Sequence, residues 1–149
     1  MEVIVFIGIQ ATGKSAFYQQ RFADTHIRLN LDMLKTRRRE QILLRSCLEA
    51  KQPFVVDNTN VTSEARAGYI SQSKVAGFSV IGYYFKSALQ SAIERNNQRS
   101  GKARVPVKGI VATHRKLELP RYDEGFDRLF YVEIVDNGAF IVKEWSDEV

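Results

Sequence analysis

One cysteine in 149 residues, Cys47, excludes an internal disulfide and agrees with a reducing compartment, so a cytoplasmic protein is expected. Its apolar neighbours make it a packed core thiol, not a nucleophile. No run approaches the ~20 apolar residues needed to span a bilayer, so no membrane partner is expected. No basic lead precedes a long apolar stretch, and Met1–Ile9 reads as a strand, not a leader. Glycine and proline are scattered, with no linker rich in either, no repeat and no low-complexity tract. A single domain over 1–149 follows as the expectation. The two histidines, His26 and His114, have no partners at metal-ligand spacing and receive no role.

What is present is an ordinary globular composition with a basic bias. The net charge of +5 and pI near 9.4 predict attraction to polyanions without saying which. The positive charge concentrates in Lys35–Arg39 and Arg95–Lys108. Either cluster alone reads equally well as a solvated helix face.

Short apolar runs at Val3–Ile7, Phe54–Val56, Ser79–Phe85, Leu129–Val135 and Ala139–Val142 predict strands, with His26–Leu29 a weaker one. Helices are predicted over Lys14–Phe22, Thr36–Lys51, Ser63–Val75, Ala88–Ser100 and Pro106–Leu117, the third opened by Ser63. The apolar side of the second is read as Ile42, Leu43, Cys47 and Leu48. Strands alternating with helices imply an α/β fold with a mostly parallel sheet flanked by helices. Asn137-Gly138 predicts a hairpin turn and an antiparallel edge at the end.

Gly8 to Ser15 reads GIQATGKS, the Gly-x4-Gly-Lys-Ser pattern between a strand and a helix. Gly8 and Gly13 allow the backbone to turn, and Gln10, Ala11, Thr12 and Gly13 present N–H groups to phosphate at a helix N-terminus. Lys14 places a charge on the β- and γ-phosphates, and Ser15 offers a hydroxyl to magnesium. ATP and Mg2+ are therefore the expected cofactors. The acceptor must be argued from elsewhere.

Asp32 lies just past the second strand, where a doubly wound sheet opens its ligand crevice. A carboxylate there can act as general base, or it can cap the helix beginning near Met33. Asp57 ends a strand and can hold magnesium through water, or it can orient the turn Asn58-Thr59-Asn60. Arg95 and Arg99 share one helix face and can reach one phosphate cluster, or stand as solvated surface residues. Phe17, Tyr18 and Trp145 read as packing residues.

The ordered set GIQATGKS, Asn30-x-Asp32-x-x-Lys35, Asp57-Asn58-Thr59-Asn60, Arg95-Asn96-x-x-Arg99-x-Gly101 and Val105-Pro106 resembles the 5′-OH polynucleotide kinase family. It is similar above all to the kinase module of bacterial end-healing enzymes that carry an HD phosphohydrolase module. The resemblance covers Val3 to about Leu117. It implies a P-loop kinase fold with a small helical lid near residues 88–106, acting on the 5′-OH ends of DNA or RNA, with a separate phosphatase or ligase as a partner. Asp32 would be the general base, Lys35 or Arg38 would hold the acceptor's phosphates, and Lys14, Arg95 and Arg99 would serve the donor phosphates. The segment Gly125–Asp127 would form part of the adenine pocket. Two other readings stay open: a kinase of a small hydroxyl compound, and a nucleotide-binding subunit without kinase activity.

Overall fold

A computed structural model describes residues 1–146; the acidic Asp147 and Glu148 lie outside the described residues. Six strands form one sheet in the order β2-β3-β1-β4-β5-β6, with β1 (Glu2–Ile7), β2 (Ile27–Leu29), β3 (Phe54–Val56), β4 (Ser79–Phe85), β5 (Arg128–Ile134) and β6 (Phe140–Glu144). All pairs are parallel except β5 with β6. The helices are α1 (Lys14–Arg21), α2 (Leu31–Leu34), α3 (Arg37–Ala50), α4 (Ser63–Val75), α5 (Leu89–Asn97) and α6 (Val107–Lys116).

The alternation of β1 explains the layering. Val3, Val5 and Ile7 face one side, packing with Leu44 and Cys47 of α3 and with Tyr69 and Ile70 of α4. Ile4 and Phe6 face the other side, against Phe17 and Tyr18 of α1 and Phe85 of β4. Both faces of the strand are buried, so it is apolar at every position from Val3 to Ile7. A third cluster joins Ile9 and Ala11 to Ala92 of α5 and Ile110 of α6, laying these two helices against the phosphate loop.

Several expectations are corrected in detail. The buried stripe of α3 is Glu40, Leu44 and Cys47, while Ile42 and Leu43 are exposed; the spacing i, i+4, i+7 follows the 3.6-residue turn. Thr62, one residue before Ser63, caps α4 by accepting from Ala65 N at 3.1 Å. The short α2 escapes prediction because four residues carry no periodicity. Cys47 is buried as expected, and Trp145 packs edge-on against Tyr84 at 5.4 Å. The hairpin turns at Asn137 and Gly138, both at positive φ (70° and 73°).

Arg66 is a residue that helix patterning treats as solvated but the fold buries completely. Its guanidinium donates to both Glu124 carboxylate oxygens (2.8 and 3.0 Å) and to the carbonyls of Asn60 and Glu118. It thereby ties α4 to the segment entering β5.

Candidate functional site

The phosphate loop leaves β1 at its C-terminal end and enters α1 through Gly13, at φ 95°. A Cβ there would stand 2.6 Å from Ile134 Cδ1 and 2.8 Å from Phe140 Cε1, so the β5–β6 hairpin presses on the loop at a position only glycine fills. Ala11 also takes positive φ, 61°. Lys14 folds back into the loop, donating from Nζ to the carbonyls of Gly8 (2.8 Å) and Ile9 (2.6 Å). Burial pushes its pKa down to about 8, a loss that Asp57 and Asp32 oppose and Arg99 reinforces. Thr12 donates its hydroxyl to Ile9 O at 2.8 Å, and Gln10 reaches Thr113 of α6 at 3.0 Å.

The segment Asp57–Asn60 is stitched to its surroundings one residue at a time. Asp57 is buried, and its Oδ2 stands 3.4 Å from Ser15 Oγ. Asn58 turns the other way: it donates to Glu40 Oε2 and accepts from Leu31 N at 2.9 Å. The Thr59 carbonyl accepts from Gly8 N at 2.9 Å, and Asn60 donates to Phe6 O at 2.8 Å. Asp57, not Asn58, therefore faces the hydroxyl of the loop.

Asn30 caps α2 by accepting from Met33 N at 3.1 Å and donates to Asp57 O at 2.6 Å. The capping task is thus Asn30's, and the Asp32 carboxylate stands exposed in the first turn. Among the described residues no side-chain hydrogen bond engages that carboxylate. Lys35 closes α2 at φ 75° and is exposed, as is Arg38 on α3. Arg37 donates to Glu40 (3.3 Å) and to the Tyr69 hydroxyl (2.9 Å).

In the lid, the two arginines of the motif part company. Arg95 donates to the Ala11 carbonyl at 2.6 Å and braces the loop from behind, and burial lowers its pKa. Arg99 is exposed and close enough to Lys14 for its charge to act there. Asn96 is fully buried; it donates to Val105 O (2.7 Å) and accepts from Val105 N (2.9 Å), which closes the turn between α5 and α6.

Gly125–Asp127 is not placed for an adenine pocket. It precedes β5, at the end of the sheet opposite the phosphate loop, with Phe126 in the core and Asp127 Oδ2 accepting from Val80 N at 2.8 Å. The residue that sequence reasoning missed is Arg28 on β2, which donates to Asp57 Oδ2 at 2.8 Å and to Ser15 Oγ at 3.0 Å.

Ser15 and Asp57 supply hard oxygen donors on adjacent elements, a set that fits magnesium completed by phosphate oxygens and water. Among the described residues no group of three or more His, Cys, Asp or Glu side chains could hold a metal without such help. No helix among them is long and apolar enough to cross a membrane.

A family model described as an AAA domain matches residues 3–120. The chain is 24% identical over 129 residues to a protein of Schizosaccharomyces pombe named "Bifunctional polynucleotide phosphatase/kinase", covering 84% of this chain. It spans only 32% of that relative's length. Among solved structures, Chaetomium thermophilum Kti12 in complex with ADP-AlF3 superposes with TM-score 0.65 at 16% identity, covering 91% of this chain and 90% of that one. A gluconokinase from Sinorhizobium meliloti 1021 superposes with TM-score 0.60 at 19% identity, covering 88% and 81%. The fold is that of the P-loop kinases.

Proposed function

The chain belongs to the AAA domain family, and from that premise we propose that it is an ATP-dependent kinase of polynucleotide 5′-hydroxyl ends. The observation that carries the reading is Asp32, an exposed carboxylate whose capping duty Asn30 has taken over, standing where its charge reaches Lys14. A general base needs such an uncommitted carboxylate beside the donor phosphates. The distant relative named as a polynucleotide phosphatase/kinase supports the same acceptor class.

In this reading Asp32 accepts the proton of the 5′-hydroxyl as its oxygen bonds to the γ-phosphorus. The bond from that phosphorus to the β–γ bridging oxygen breaks, and ADP leaves with the electron pair. Lys14 swings from the Gly8 and Ile9 carbonyls onto the phosphates, and Arg99 closes over them from the lid. Arg95 acts one step back, through the loop carbonyl it holds. Ser15 and Asp57 would hold magnesium, which would neutralise the β- and γ-oxygens when bound.

Lys35 and Arg38 then face the acceptor's phosphates. Arg38 also lines a groove of about 730 Å³ between α3 and α4, with Arg37, Glu40, Glu64 and Tyr69. Titrating a fluorescent 5′-OH oligonucleotide at increasing salt tests this. Affinity should fall steeply, and Lys35→Ala or Arg38→Ala should each lower the slope by about 0.7 for a single strand. A salt-independent acceptor affinity, with tight binding of a small hydroxyl compound instead, would transfer the assignment to a small-molecule kinase.

A further inference from the structure

Arg28 belongs to none of the chain's motifs, yet its guanidinium lies on both oxygens proposed above for magnesium. Nε donates to Asp57 Oδ2 at 2.8 Å and a terminal N–H donates to Ser15 Oγ at 3.0 Å. Those oxygens are 3.4 Å apart. Two neighbouring ligands of an octahedral magnesium, each at ~2.05 Å, would be ~2.9 Å apart. With the guanidinium on them, the two oxygens stand about half an ångström wider apart. An ion held inner-sphere by these two oxygens competes with the guanidinium fork for them.

Charge explains why a cation is there. Asp57 is 2% exposed, and a buried carboxylate without a partner is costly. Arg28 is 26% exposed and so has an open side through which to withdraw. Its guanidinium carbon lies 5.8 Å from the centre of the Tyr18 ring, which is fixed by the Tyr18 hydroxyl donating to His26 O at 2.6 Å. That ring face can keep the guanidinium after it leaves the carboxylate.

We propose that Arg28 is a displaceable counter-ion of the metal site. It neutralises Asp57 in the free protein, keeps free divalent ions from binding there, and yields to an ion that arrives with a nucleotide's phosphates as additional ligands. The inference rests on reading Ser15 and Asp57 as the metal pair. Divalent binding and the Asp57–Arg28 contact then draw on the same carboxylate and oppose one another.

The test is Mn2+ binding, followed by electron paramagnetic resonance with and without ADP, for wild type, Arg28→Met, Arg28→Lys and Asp57→Asn. Arg28→Met should bind Mn2+ about tenfold more tightly than wild type, because a charge-assisted contact no longer has to be broken. Arg28→Lys should fall between them, keeping the charge but losing the fork. In thermal melts Arg28→Met should be less stable than wild type without divalent ion, and the gap should close with saturating Mn2+ and ADP. An Arg28→Met affinity equal to or weaker than wild type overturns the inference. So does a melting deficit that persists unchanged with Mn2+ and ADP, which would make Arg28 a packing residue. If Asp57→Asn leaves Mn2+ binding untouched, the metal reading itself fails and this inference falls with it.

Discussion

Asn58 donates a 3.0 Å hydrogen bond to the Glu40 carboxylate, which is buried under the groove between α3 and α4. The Tyr69 hydroxyl donates to the other Glu40 oxygen at 2.6 Å, and burial, with this bond adding to it, raises the Tyr69 pKa. Asn58 spends its remaining acceptor on Leu31 N, at the start of the helix that carries Asp32. Glu40 is therefore linked through Asn58 to the backbone one residue before the proposed base.

Breaking this link should alter the chemical step and spare nucleotide binding. Asn58→Ala is expected to lower kcat about tenfold with the KM for ATP unchanged, since α2 loses an anchor while the phosphate loop keeps its own. Asn58→Asp sets a second carboxylate against Glu40 and should cost more. Steady-state kinetics for both variants check the split; a rise in KM for ATP with kcat preserved would contradict it.

Gly13 and Gly138 separate close packing from backbone strain. Both take positive φ, but a Cβ at Gly13 meets Ile134 and Phe140 below 3 Å, whereas nothing lies within 4 Å at Gly138. Gly138→Ala should cost about 1 kcal/mol, the left-handed penalty alone. Gly13→Ala adds overpacking and should cost roughly 2–4 kcal/mol, with nucleotide affinity falling in parallel. Equal losses in urea denaturation would show that the hairpin does not press on the loop.

Asp127 gives stability a pH dependence of known sign. The hydrogen bond from Val80 N, with Lys74 adding a smaller effect, holds its pKa below the usual carboxylate value. A depressed folded pKa contributes stability above the unfolded value near 3.9 and loses it as pH falls through the folded value. Asp127→Ala should cost about 1 kcal/mol at pH 7, given its half-exposed side chain, and progressively less toward pH 3. A gap of constant size from pH 7 to pH 3 would contradict that role.

Much of this was legible in the sequence where a period or a fixed spacing recorded it. The strands Phe54–Val56 and Ser79–Phe85 and the helix Ser63–Val75 match the structure residue for residue, because burial on both faces or a capped periodic run leaves a plain trace. The phosphate loop was legible from Gly8, Gly13 and Lys14 together. Whether Asp57 or Asn58 faces Ser15 was not, since adjacent residues at a strand end differ only in the direction the turn gives them. Arg28 and Arg66 carry no local signal: a lone arginine on a short strand or a helix looks solvated until its carboxylate partners, 29 and 58 residues away, are placed beside it. Gly125–Asp127 was misassigned because its composition does not reveal which end of the sheet it lies at.

The kinase reading stands or falls on transfer of the labelled γ-phosphate of ATP to a 5′-OH oligonucleotide in the presence of magnesium, for wild type and Asp32→Asn. Wild type should label the 5′ end, and Asp32→Asn should label it about 10²–10⁴-fold more slowly while binding ATP as before. No labelling by wild type, or an Asp32→Asn rate within about threefold of it, contradicts the account.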